Sequence, residues 1–142
     1  MRSKGMLGGG MLRITQQVRD ALVAHARKDA PMEACGYLAE SDAVVREAIS
    51  LRNADASAEH FSLDPAEQFD ALRRMRADSL KLKGVYHSHP TTPARPSAED
   101  LRLANDPALS YVIVSLAADE PVIKSFRIHS GLAMEEELVI GQ

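Results

Sequence analysis

His87-Ser88-His89 is followed, after the seven residues Pro90–Pro96, by Ser97-Ala98-Glu99-Asp100, and this stretch decides how the chain is read. Gly84 to His89 has the character of a strand. Side chains at i and i+2 of a strand leave the same face, roughly 6.6 Å apart along the chain. His87 and His89 therefore point together with Val85, while Tyr86 and Ser88 point the other way. Pro90, Pro93 and Pro96 make a loop, and Ser97 opens a short helix with Asp100 in its first turn. The loop is long enough to fold Asp100 back over the strand end. Two imidazole nitrogens and one carboxylate form a donor set suited to Zn²⁺, with a fourth position left to water. Each part alone is weak, since His-x-His arises by chance and Ser-x-x-Asp is also a helix capping box. The conjunction, together with the upstream acid Glu33, is specific.

Working outward, the remaining chain alternates strands and helices. A short strand around Leu12–Ile14 leads into a helix of about 14 residues capped by Thr15, with Val18, Ala21, Leu22 and Ala26 on its apolar face. Glu33 stands at the threshold of a strand beginning Cys35-Gly36-Tyr37-Leu38, and Val44–Leu51 forms another. Asn53 to Glu59 is a polar loop. Asp64-Pro65-Ala66-Glu67 opens a second helix, expected to run to about Leu80 with Phe69, Leu72 and Leu80 inward and Met75 near the border. Ser110–Leu116 suits a central strand buried on both faces. Val122–His129 and Ala133–Ile140 read as a hairpin turning near Ser130-Gly131. The expected fold class is mixed α/β, or α+β, with helices packed on a sheet.

The chain has 142 residues, 45% of them hydrophobic, and a formal net charge of −3. That suits one domain with a proper core. Residues 1–10, with a Gly-Gly-Gly run and no apolar segment, read as a flexible leader, and 11–142 as the domain; Met6 or Met11 are alternative starts. The single cysteine excludes internal disulfides and Cys-rich zinc sites. With no export signal, it favours the cytoplasm. No apolar run is long enough to span a membrane, and the mild acidity argues against nucleic acid as a partner. Of five histidines, His25 reads as a packed residue of the first helix, while His60 and His129 lack ligand spacing to the motif. Cys35 reads as a small buried hydrophobe. Ser88 lacks the elbow of a serine hydrolase, and Arg73, Arg74 and Arg76 form a solvated face.

The pattern Glu33, His87-Ser88-His89-Pro90, Ser97 and Asp100 resembles the JAMM, or MPN-plus, zinc metalloproteases, and is similar to their small single-domain bacterial members. The resemblance implies a central mixed sheet flanked by helices, in a cytidine-deaminase-like architecture. It further implies that His87, His89 and Asp100 hold Zn²⁺, that Glu33 is general base and then general acid, and that Ser97 helps stabilise the oxyanion. The implied activity is hydrolysis of a peptide or isopeptide bond after the C-terminal Gly-Gly of a ubiquitin-like β-grasp sulfur-carrier protein, with Asn53–Leu63 and Pro90–Pro96 as groove walls. The resemblance does not choose between trimming, isopeptide cleavage and adduct release. A catalytically silent MPN-type binding scaffold is the alternative; such relatives lose motif residues that this chain keeps. A zinc nucleobase deaminase fails for want of cysteines.

Overall fold

The computed structural model describes residues 10–141. The expected leader, apart from Gly10, lies outside them. In chain order the elements are β1 (Met11–Ile14), α1 (Gln16–Asp29), β2 (Cys35–Ser41), β3 (Val44–Leu51), α2 (Pro65–Ala77), β4 (Lys81–His89), α3 (Ala98–Leu103), β5 (Ser110–Ser115), β6 (Val122–His129) and β7 (Leu132–Ile140).

The strands form one mixed sheet in the order β1-β3-β2-β4-β5-β6-β7, flanked by the helices as expected. The sheet also closes on itself, which the sequence did not suggest. β1 makes a single parallel pairing to β3, Ile14 with Val45, and a full parallel ladder to β7 from Met11↔Glu137 to Ile140. β4 and β5 run parallel in the centre, with His87 beside Ile113 and His89 beside Ser115. Helix α3 lies within the β4–β5 crossover, so the chain must pass over the sheet where the motif sits.

Three apolar clusters hold the helices to the sheet. Val18, Leu22 and Ala26 of α1 pack with Leu12, Ile14, Leu38, Val45, Tyr86, Val112 and Val114. Thr15 caps α1 by accepting from the Val18 amide at 3.0 Å. Ala21, expected inward, is exposed, and Val23 is buried in its place. Helix α2 departs further from expectation. Ala71 and Met75 are its buried positions, packed with Tyr37, Ile49 and Leu51, whereas Phe69 is 63% exposed and Leu72 41%. The helix stops at Ala77 because Asp78 caps it and Ser79 takes a positive φ of 61°, which turns the chain into β4. Leu80 does reach the core, but from this turn.

The β6–β7 hairpin turns through Ser130 and Gly131, both at positive φ (51° and 77°), as in the two-residue turns that match strand twist. No helix among the described residues is long and apolar enough to cross a membrane.

Candidate active site

The end of β4 and the start of α3 bring three donor atoms to one point. His87 Nε2 lies 3.1 Å from His89 Nε2 and 3.1 Å from Asp100 Oδ2, and His89 Nε2 lies 3.2 Å from the same oxygen. This nearly equilateral triangle has the dimensions of one face of a tetrahedron around an ion bonded at 2.0–2.1 Å, whose edges are about 3.3 Å. Among the described residues, His87, His89 and Asp100 are the group whose ligand atoms converge in this way. The residues therefore fit a small divalent cation that prefers mixed nitrogen and oxygen donors.

Each donor is held by a local cause. His89 Nδ1 donates to the Pro93 carbonyl at 2.8 Å, so the loop that ends the strand also fixes which nitrogen faces the centre. The His87 imidazole is stacked on Phe61, with centroids 4.7 Å apart and planes inclined by 26°. Asp100 is at the third helical position of α3. Its Oδ2 accepts from the Ser97 amide at 2.9 Å, and Ser97 Oγ accepts from the Asp100 amide at 3.0 Å. The capping box and the donor cluster are thus one structure, not rival explanations.

The charges respond to this crowding. Burial alone would raise the Asp100 carboxyl, but hydrogen bonds from His87 and His89 overcome it and hold the group well below the carboxylate range. Burial works to lower His89, yet its bonds to Asp100 and the Pro93 carbonyl carry it above its usual value.

Glu33 lies between α1 and β2, only 4% exposed, and its Oε1 has no hydrogen-bond partner. Burial pushes its pKa up to about 8, against the attraction of His89 and reinforced by the negative charges of Asp100 and Glu99. A buried carboxyl with an unused oxygen and a pKa near neutrality is equipped to exchange a proton. Cys35, two residues on, is fully buried and pushed up to about 12, first by desolvation, so no thiolate competes as nucleophile.

The other histidines fall where the sequence put them. His25 bridges the Tyr86 hydroxyl (2.7 Å) and Asp29 (3.1 Å). His60 pairs with Asp55 at 3.1 Å but also lines a cavity that opens beside His87 and Asp100. That cavity holds about 410 Å³ and lies on the sheet face, floored by Val85, Tyr111 and Ile113. Of the loop Asn53–Leu63 expected as a wall, only His60, Phe61, Ser62 and Leu63 line it. Of the expected proline wall only Pro96 lines it, and α3 with the segment to Asp106 does the rest. Sequence reasoning missed Phe61 and Asn53. A Phe inside an otherwise polar loop, and an Asn just after a strand, were the available signals.

The chain matches the model of the prokaryotic homologs of the JAB domain over residues 15–129. It belongs to that family. The CysO-cysteine peptidase of Mycobacterium tuberculosis is 39% identical over 130 residues, covering 89% of this chain and 88% of that one. The desampylase of Haloferax volcanii is 36% identical over 111 residues, covering 73% and 80%. The solution structure of protein DSY2949 from Desulfitobacterium hafniense matches with a TM-score of 0.85 and 46% identity over 93% of this chain and 94% of that one.

Proposed function

We propose that this JAB-domain protein is a zinc-dependent peptidase that hydrolyses the bond after the C-terminal Gly-Gly of a ubiquitin-like sulfur-carrier protein. The observation that carries this function is the convergence of His87, His89 and Asp100 beside a buried carboxyl, Glu33, that has an unpartnered oxygen. His87, His89 and Asp100 would hold the ion, which supplies a Lewis acid and makes water a competent nucleophile at neutral pH. Glu33 takes a proton from the attacking water and delivers it to the departing nitrogen. The Ser97 hydroxyl accepts from the Asp100 amide, which leaves its own hydrogen free to donate to the oxygen where negative charge develops. No side chain forms a covalent intermediate.

The cavity suits an extended tail. Its floor is a sheet face and its walls a loop and a helix, so a tail ending in two glycines can pass to the donors without a side chain to clash. The relatives named a CysO-cysteine peptidase and a desampylase support a protein substrate of this class. The domain from residue 11 onward, acting in the cytoplasm, carries all these groups.

The test is a panel of sulfur-carrier proteins extended beyond Gly-Gly, offered to the protein with and without a zinc chelator. Chelator-sensitive cleavage after Gly-Gly is the expected result. Cleavage that persists in chelator, or no cleavage of any panel member by zinc-loaded protein, would overturn the assignment.

A further inference from the structure

Residues 53–63 connect β3 to α2, and one side chain sets their path. Asn53 is buried and its amide is fully used. Nδ2 donates to the carbonyls of Glu33 and His60, each at 3.1 Å, and approaches that of Ser57 at 3.5 Å. Oδ1 accepts from the backbone amides of Asp55 (3.0 Å) and Ser62 (3.2 Å). Carbonyls surround one end and N–H groups the other, so the orientation of the amide is fixed by its partners. The loop is closed at its base by the bridge between Asn53 and Leu63 and by the Ala54 amide donating to Ser62 O at 2.8 Å.

Glu33 is bound to this loop at both of its backbone groups. It precedes β2, whose ladder starts at Cys35, so no neighbouring strand claims its peptide. Its N–H donates to Ser57 O at 2.8 Å, and its carbonyl accepts from Asn53. The same loop lays Phe61 on the His87 ring and supplies His60, Phe61, Ser62 and Leu63 to the cavity wall.

We propose that Asn53 is a positioning residue: it ties the peptide of Glu33 to the loop that walls the cavity, so the surface a substrate rests on also sets the reach of the base. This rests on the hydrolytic function proposed for the same site. A misplacement of about 1 Å at a reacting group can cost ~100-fold in rate, so a tether of this kind acts on turnover even where the fold survives. A merely structural Asn53 would lower activity only in step with the folded fraction.

The test is Asn53→Asp, which keeps the accepting oxygen and replaces the donor by an oxygen facing three carbonyls. In zinc-loaded protein, amide hydrogen exchange is expected to quicken at least tenfold at Glu33 while staying unchanged at Val23, buried in α1. The kcat falls at least tenfold with zinc content retained, and KM moves by less. Asn53→Ala gives the same pattern and serves if the Asp variant fails to fold. Unchanged exchange at Glu33, equal acceleration at Val23, or an undiminished kcat overturns the proposal. Wild-type protein that cleaves no sulfur carrier overturns the hydrolytic function instead, and the exchange readout still reports whether Asn53 holds Glu33.

Discussion

Ser88 Oγ accepts from the Ala34 amide at 2.7 Å, and the Ser88 amide donates to the Ala34 carbonyl at 2.9 Å. The serine between the two histidines thus faces away from them and clamps the residue that follows Glu33. Ser88→Ala leaves a buried N–H without a partner, which costs about 1–3 kcal/mol. Denaturant unfolding should show that loss, and turnover should fall as Glu33 gains freedom, while bound zinc stays equal to wild type. Stability and turnover both equal to wild type would show that the clamp does nothing.

Glu33→Gln removes the proton acceptor but preserves shape. Hydrolysis is expected to drop by roughly 10²–10⁴-fold, the share that a positioned acid–base group supplies. Metal analysis of the purified variant should show unaltered zinc, since Glu33 lies outside the donor triangle. Retained turnover would move the proton transfer to another group.

The same carboxyl gives the metal-free protein a pH signature. Glu33 holds its proton up to about 8 in the folded state, against 4.5 for an unburied carboxyl. Between those values the folded chain binds one more proton than the unfolded one, so stability falls as pH rises through the window. His89, raised above 6.5, acts in the same direction: its contribution is whole below 6.5 and is lost as pH climbs past the raised value. Asp100, lowered from 3.8, acts oppositely, and its contribution is lost only on strong acidification. Chelated protein should therefore melt lower at pH 8 than at pH 6, and Glu33→Gln should flatten that slope. Zinc held by His89 as proposed needs that imidazole neutral, so the Tm gap between loaded and chelated protein should widen over the same interval. A gap that narrows as pH rises would contradict the donor assignment.

How much of this was legible in the sequence depended on how local the signal was. Thr15, Asp64 and Ser97 cap their helices as expected because a cap is a contact three residues long. The Ser130-Gly131 turn was readable for the same reason. The donor cluster was readable because strand periodicity, a loop of fixed length and a capping box each constrain it. The facing of α2 was not, because Phe69 and Leu72 outweigh Ala71 in hydrophobicity, and only the folded sheet shows that the smaller residue joins the cluster of Tyr37 and Ile49. The link from Asn53 to Glu33 spans 20 residues, and no periodicity reports such a contact.

That disagreement over α2 is itself testable. Met75 is 2% exposed within a cluster, so Met75→Ala should cost about 2–5 kcal/mol. Phe69 is mostly in solvent, with Arg73 over its ring at 5.6 Å, so Phe69→Ala should stay within about 0.5 kcal/mol. The reverse order in denaturant unfolding would restore the facing expected from hydrophobicity alone.

Two glycines separate crowding from backbone conformation. Gly36 sits in β2 between β3 and β4, where an added Cβ would meet the Ile49 carbonyl oxygen and stand 2.6 Å from a Tyr86 ring carbon. Neither can yield, since Ile49 belongs to the ladder and Tyr86 is 2% exposed with its hydroxyl bonded to His25. Gly36→Ala should therefore misplace β2 against β4, and with it the Glu33–Ala34 segment that Ser88 clamps. Gly131 has open space around it but a φ of +77°, so Gly131→Ala should cost only about 1–2 kcal/mol through backbone strain. Thermal unfolding of the pair distinguishes the causes: a Gly36→Ala protein as stable as Gly131→Ala would mean that the β2–β4 seam is looser than the Tyr86 contact requires.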